Sequence, residues 1–144
     1  MLFLSRALKY GWAAPYTAVG ITLGALGLVF GGTWQVERGA LEFAGGRLGR
    51  LLARLPQPFA FSAMTLGHVI LAVDRVALAE LRSHEQVHVR QYERWGPLFL
   101  PAYLLSSLVQ LLRGRNPYRE NHFERQAYAM APARRVLPRK PRHG

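Results

Sequence analysis

His84, Glu85 and His88 stand in the order H-E-x-x-H. On a helix, residues four apart lie one above the other, so both imidazoles point at one place and can hold one metal ion. Glu85 lies about 100° round the helix axis from His84. That puts it beside such an ion and not on it, where a carboxylate can take a proton from a water that the metal activates. Catalytic zinc takes three protein ligands and keeps a position open, so a third donor is required. Glu124 is the best placed, because Ala127 lets its helix approach closely and Phe123 flanks it with a packing side chain. His122 and Glu120 are rival donors. Two plainer readings stand beside this one: exposed histidines on a polar helix face, and Glu124 as a capping-box residue reaching back to Asn121.

The elements that position these residues can be read locally. Asp74 is a suitable N-cap for a helix from Arg75 to about Trp95 with no internal Gly or Pro, and Pro97 ends it. Its inward stripe is Ala77, Leu81, His84, His88, Tyr92 and Trp95. Asn121 caps a last helix to about Met130, closed by Pro132. Upstream lie two β-hairpins, Thr33 to Glu37 with Ala40 to Phe43 around Gly39, and Phe59 to Met64 with His68 to Val73 around Thr65-Leu66-Gly67. His68, in an apolar strand, reads as a structural residue. Arg47 to Leu55 forms a short basic amphipathic helix suited either to anionic lipid or to a solvated face. The fold class is α+β, with short antiparallel hairpins packed on the H-E-x-x-H helix and on the helix of the third ligand.

The chain has 144 residues, a formal charge of +11 and no cysteine, which fits one domain plus one appended segment. It excludes disulfide frameworks, thiolate metal sites and cysteine nucleophiles. The charge points to an anionic partner. Gly11 to Val36 is uncharged and longer than the ~20 residues that span a bilayer. It exceeds a typical signal-peptide core, and no small-x-small cleavage site follows it. Gly20, Gly24, Gly27 and Gly31 form a stripe on which a partner helix could pack. Trp12, Trp34 and Trp95 lie at the edges of uncharged runs, as interface aromatics do. Nucleic acid would use the charge but leave the histidine motif and the uncharged run unexplained, so anionic lipid headgroups are the expected partner of the Arg and Lys residues. If the second uncharged run, Trp95 to Leu112, crossed the bilayer, His84 and Glu124 would lie on opposite sides. It is therefore expected to be buried in the domain or half-embedded. The division is 1–36, a transmembrane segment; 37–131, the metal-binding domain; and 132–144, a basic disordered tail. Arg6 and Lys9 precede the single span, and Arg38, Arg47, Arg50, Arg54 and the basic tail follow it, a balance that favours a cytoplasmic domain without fixing the side.

Over Ala63 to Ala129, H-E-x-x-H followed on a later helix by Glu124 in the setting E-x-x-A resembles the gluzincin class of zinc metallopeptidases, above all its small or membrane-embedded members. The resemblance implies a zincin-like domain with Zn2+ held by His84, His88 and Glu124 and Glu85 as general base. It also implies a peptide or protein substrate paired to an edge strand at His68 to Val73. Ala127 and Tyr128 stand where many gluzincins carry an acidic residue. Tyr118, His122 or Tyr128 could stabilise an oxyanion, and Gln91 or Tyr92 could orient an imidazole. The expected function is a membrane-anchored zinc metallopeptidase. The alternative is a catalytically inactive zincin-like membrane scaffold whose metal is structural or absent.

Overall fold

Arg38 and Gly39 both take positive φ, 51° and 79°, the pair of left-handed residues that a two-residue hairpin turn needs. Strand β1 (Thr33–Glu37) therefore folds straight back as β2 (Ala40–Ala44). A second tight turn at Gly67, φ 62°, joins β3 (Ala63–Leu66) to β4 (Val69–Ala72). Helix α1 (Leu2–Val29) precedes the strands, and α2 (Gly46–Leu52) lies between the hairpins. After β4 come α3 (Arg75–Trp95), a 3-10 turn (Gly96–Leu98), α4 (Phe99–Leu112) and α5 (His122–Met130). The computed structural model describes residues 2–56 and 61–131. The expected basic tail, and Phe59 and Ala60 of an expected strand, lie outside them.

The chain is α+β, with both hairpins antiparallel, but the sheet is not purely antiparallel. β2 pairs with β4 in parallel, which gives a mixed sheet in the order β1-β2-β4-β3. The second hairpin is also shifted from the expected place. Gly67 supplies its left-handed residue, so Leu66 pairs with Val69 and Thr65 belongs to the strand. β4 is consequently a central strand, and the expected edge strand at His68 to Val73 has both sides filled. The edges are β1 and β3.

Strand alternation sorts the sheet into two faces. Ala40, Ala44, Ile70 and Ala72 form a buried cluster with Leu78 and Val89 of α3. Phe43 and Val69, on the other face, meet α1. There the glycine stripe has a partner inside the chain: a methyl on Gly20 would lie 2.6 Å from Val69 Cβ, and one on Gly24 would overlap the Phe43 ring. Gly31, φ 86°, lies past the end of the helix. Further bonds hold α1 along its length. Tyr10 donates to the Gly39 carbonyl (3.0 Å), Tyr16 donates to that of Pro97 (2.9 Å), and the His68 amide donates to Thr17 Oγ1 (3.0 Å). Ala13 is buried with Tyr92, Phe99 and Phe123. Helix α1 is thus the layer that covers one face of the sheet.

Two helical stretches, Ser5–Val29 and Arg75–Leu112, are long and apolar enough to cross a membrane. In the second, the apolar part is α4, whose polar side chains Tyr103, Ser106, Ser107 and Gln110 recur at helical spacing and form one stripe. Three of them bond the segment that carries Glu124. Tyr103 reaches its carboxylate, Ser107 accepts from Asn121 Nδ2, and Ser106 accepts from His122 N. Leu104, Leu105, Leu108, Leu111 and Leu112 point outward and are exposed. The helix has its polar side toward protein and its apolar side out, the reverse of a surface helix in water.

Candidate metal centre

Asp74 Oδ1 accepts from the Ala77 amide at 2.7 Å and starts α3 where the sequence requires. Asn121 Oδ1 caps α5 by accepting from Phe123 N at 2.9 Å. Because the two caps set the register of both helices, His84, His88 and Glu124 converge. His84 Nε2 lies 3.0 Å from Glu124 Oε2, His88 Nε2 lies 3.3 Å from Oε1, and the two Nε2 atoms are 3.2 Å apart. All three residues are buried. Glu124 does not cap its own helix, because the amide of Asn121 bonds Tyr118 O instead. Glu120 faces Arg125 at the surface. His122 is exposed and faces a groove with Arg90 and Arg94, away from the triad.

The three donor atoms fit a small tetrahedral cation. Ligands at about 2.0–2.1 Å from such a centre are separated by roughly 3.3 Å, close to the spacing found. The donor chemistry agrees. Gln91 Nε2 donates to Phe123 O (3.1 Å) and to Gln126 Oε1 (2.9 Å), which fixes the amide so that Gln91 Oε1 accepts from His88 Nδ1 at 2.7 Å. With its proton held on Nδ1, neutral His88 turns the Nε2 lone pair into the cluster, as a metal ligand must. His84 Nδ1 is buried without a partner. Burial raises the proton affinity of Glu124, but the bonds from His84 and His88 outweigh it and hold the carboxyl at about 2. Burial works against a charged His88, yet the Glu124 contact prevails and its pKa is raised.

Glu85 is also buried, with Oε2 accepting from Thr65 Oγ1 at 2.6 Å. Burial pushes its carboxyl above the usual range, opposed by His88 and by the Thr65 bond. At the more exposed end of the site the Tyr118 and Tyr128 hydroxyls are 3.1 Å apart, and the Tyr128 ring lies tilted against His84 with centroids 4.3 Å apart. Burial, with the Glu124 charge second, raises the Tyr118 pKa and keeps its phenol protonated. Tyr92 sits against Tyr16 and Phe99 in the aromatic core and bonds neither imidazole. His68 lies in the hairpin, stacked on Tyr10 and 3.0 Å from Glu93.

The sequence reading did not single out Thr65, Tyr103 or Gln126. For Tyr103 a signal existed, since a polar stripe on an otherwise apolar helix marks a buried polar contact. Thr65 depended on the hairpin register, and Gln126 on the approach of α5 to Gln91. No protein-family model, curated protein or solved structure matches the chain.

Proposed function

We propose that the protein is a membrane-associated zinc-dependent peptidase. The observation that carries this reading is the convergence of His84 Nε2, His88 Nε2 and the Glu124 carboxylate beside the buried carboxyl of Glu85. A buried set of two imidazoles and one carboxylate suits zinc better than calcium or magnesium, which prefer all-oxygen shells. Bound there, zinc supplies Lewis acidity, which polarises a peptide carbonyl and acidifies a water.

The chain's own residues supply the rest. Glu85, with its proton affinity raised by burial, takes a proton from the attacking water and returns it to the departing amine, while the oxygen adds to the carbonyl carbon. Thr65 holds one oxygen of that carboxylate and so sets its plane. Tyr118 and Tyr128 place two hydroxyls near the site that can donate to a developing oxyanion. Strand β3, which carries Thr65, pairs among the described residues with β4 alone. An extended peptide added to its open edge would lie next to Glu85. The outward leucines of α4 and the exposed apolar side of α1 favour a lipid surrounding.

The test is hydrolysis of a peptide library by the full chain in phospholipid vesicles, with and without zinc. Zinc-dependent cleavage that Glu85→Gln abolishes while zinc stays bound is the expected result. Cleavage by Glu85→Gln at the wild-type rate, or none by the zinc-loaded wild type, overturns the enzyme and leaves the scaffold.

A further inference from the structure

Between the last turns of α1, the sheet and α2 lies a cavity of about 320 Å³, whose lining includes Leu23, Gly27, Phe43, Leu48, Leu52 and Leu71. Its frame is fixed by backbone contacts. The Arg47 amide bonds the Phe30 carbonyl at 2.8 Å, and Gly49 packs directly on the Val73 carbonyl. Gly24 lets α1 touch Phe43, but one turn later a methyl on Gly27 would meet nothing within 4 Å. The helix and the sheet thus diverge around a space with almost no polar lining. Protein interiors are close-packed, and an apolar void of this size forfeits dispersion contacts. A lining with so few polar groups offers water few partners and suits an apolar guest.

We propose that this cavity receives an acyl chain of an anionic phospholipid whose headgroup is met by Arg47, Arg50 and Arg54. Leu23 and Leu26 line the cavity and are 40% and 48% exposed, so its mouth opens along the outward apolar side of α1, where bilayer acyl chains are available. Leu48, Gly49 and Leu52 of α2 form one wall. The arginines on and just after the same short helix are exposed and pair with no acid among the described residues. The acid nearest in sequence, Glu42, is turned to the other face of the sheet and taken by Arg82. Three cations without an acidic partner among the described residues, on and just after the short helix whose other side walls the apolar slot, match a lipid with a negative headgroup. The cavity volume falls at the low end of ligand sites, roughly 300–1,000 Å³, enough for part of one chain.

The proposal rests on the membrane half of the proposed function and not on the peptidase half, so lipid retention and zinc content can fail separately. The test is native mass spectrometry of the full-length protein in mild detergent, comparing phosphatidylglycerol with phosphatidylcholine of equal chain length. One retained phosphatidylglycerol per chain is expected, preferred at least about tenfold given the effect of each arginine near an anionic surface. Gly27→Leu, which fills the cavity, should cut retention about tenfold, while Ala25→Leu, the same bulk on the outward side, should not. Changing Arg47, Arg50 and Arg54 to Gln should bring the two lipids to parity. Equal retention of both lipids by wild type, no retained lipid, or wild-type retention by Gly27→Leu would overturn the proposal. If Gly27→Leu also loses zinc, a photoreactive acyl group on phosphatidylglycerol decides with the wild type. Crosslinks on residues 23–28, 43–52 and 64–72 support the site, and crosslinks spread elsewhere refute it.

Discussion

Glu42 and Glu124 are both carboxylates buried against α3, 0% and 4% exposed, yet their surroundings differ in kind. Glu42 receives the Arg82 guanidinium as a fork, 2.8 and 3.0 Å, and Gln35 Nε2 at 2.7 Å. Its charge is cancelled by a permanent cation. Glu124 meets two imidazoles and the Tyr103 hydroxyl, none of them a permanent cation, and one imidazole keeps an unpartnered nitrogen. Burying a carboxylate without a counter-charge is expensive. The first cluster is complete as the chain makes it, and the second has the composition of a site completed by a metal. Helix α3 thus carries a structural ion pair and a candidate reactive centre within a few turns of each other.

The largest effect that would sharpen this contrast is on catalysis. Glu85→Gln should lower peptide hydrolysis by about 10²–10⁴-fold, the usual contribution of a general base, with zinc content unchanged by elemental analysis. Next is the structural pair. Arg82→Ala strands the Glu42 charge and should cost about 3 kcal/mol or more in denaturant unfolding, while zinc still raises its melting temperature. Glu124→Gln should remove that zinc-induced rise. A Glu124→Gln variant still stabilised by zinc would erase the distinction between the two carboxylates.

Smaller effects follow for the residues that orient the ligands. Gln91→Ala, which frees the His88 tautomer, and Tyr103→Phe should each weaken zinc binding about 10–100-fold by competition with a chelating dye. pH gives the mildest test. In the metal-free protein His88 and Glu85 have raised pKa values, so their stabilising contributions are complete below 6.5 and 4.5 and fade as pH rises through the raised values. Glu124 has the opposite sign. Its contribution is present above 4.5 and is lost as pH falls toward about 2. Above 4.5 the metal-free melting temperature should therefore decline with pH, whereas the gain on adding zinc should grow as protons stop competing for the imidazoles. A zinc gain independent of pH would argue against histidine ligation.

The parts of the site that depend on local chemistry were legible in the sequence. Asp74, Pro97 and Asn121 mark the ends of α3 and α5, and the spacing of His84 and His88 needs only the helix. Contacts between distant segments were not. Short apolar runs bounded by Gly39 and Gly67 mark β2 and β4 as strands but say nothing of their parallel pairing, which is reached only through α2 and β3. The uncharged run of α1 reads alike whether it meets lipid or a sheet, and only the packing of Gly20 and Gly24 on Val69 and Phe43 reveals that it does the latter on one side. Thr65 reaches Glu85 across a hairpin whose turn sits at Gly67, later than turn composition alone indicates.

The most direct test of the account is the metal content of the purified full chain, measured by elemental analysis for wild type, His88→Ala, Glu124→Ala and Glu85→Gln. About one zinc per chain is expected in wild type and Glu85→Gln, lost from both ligand variants. No zinc in the reconstituted wild type, or zinc retained by Glu124→Ala, would contradict it.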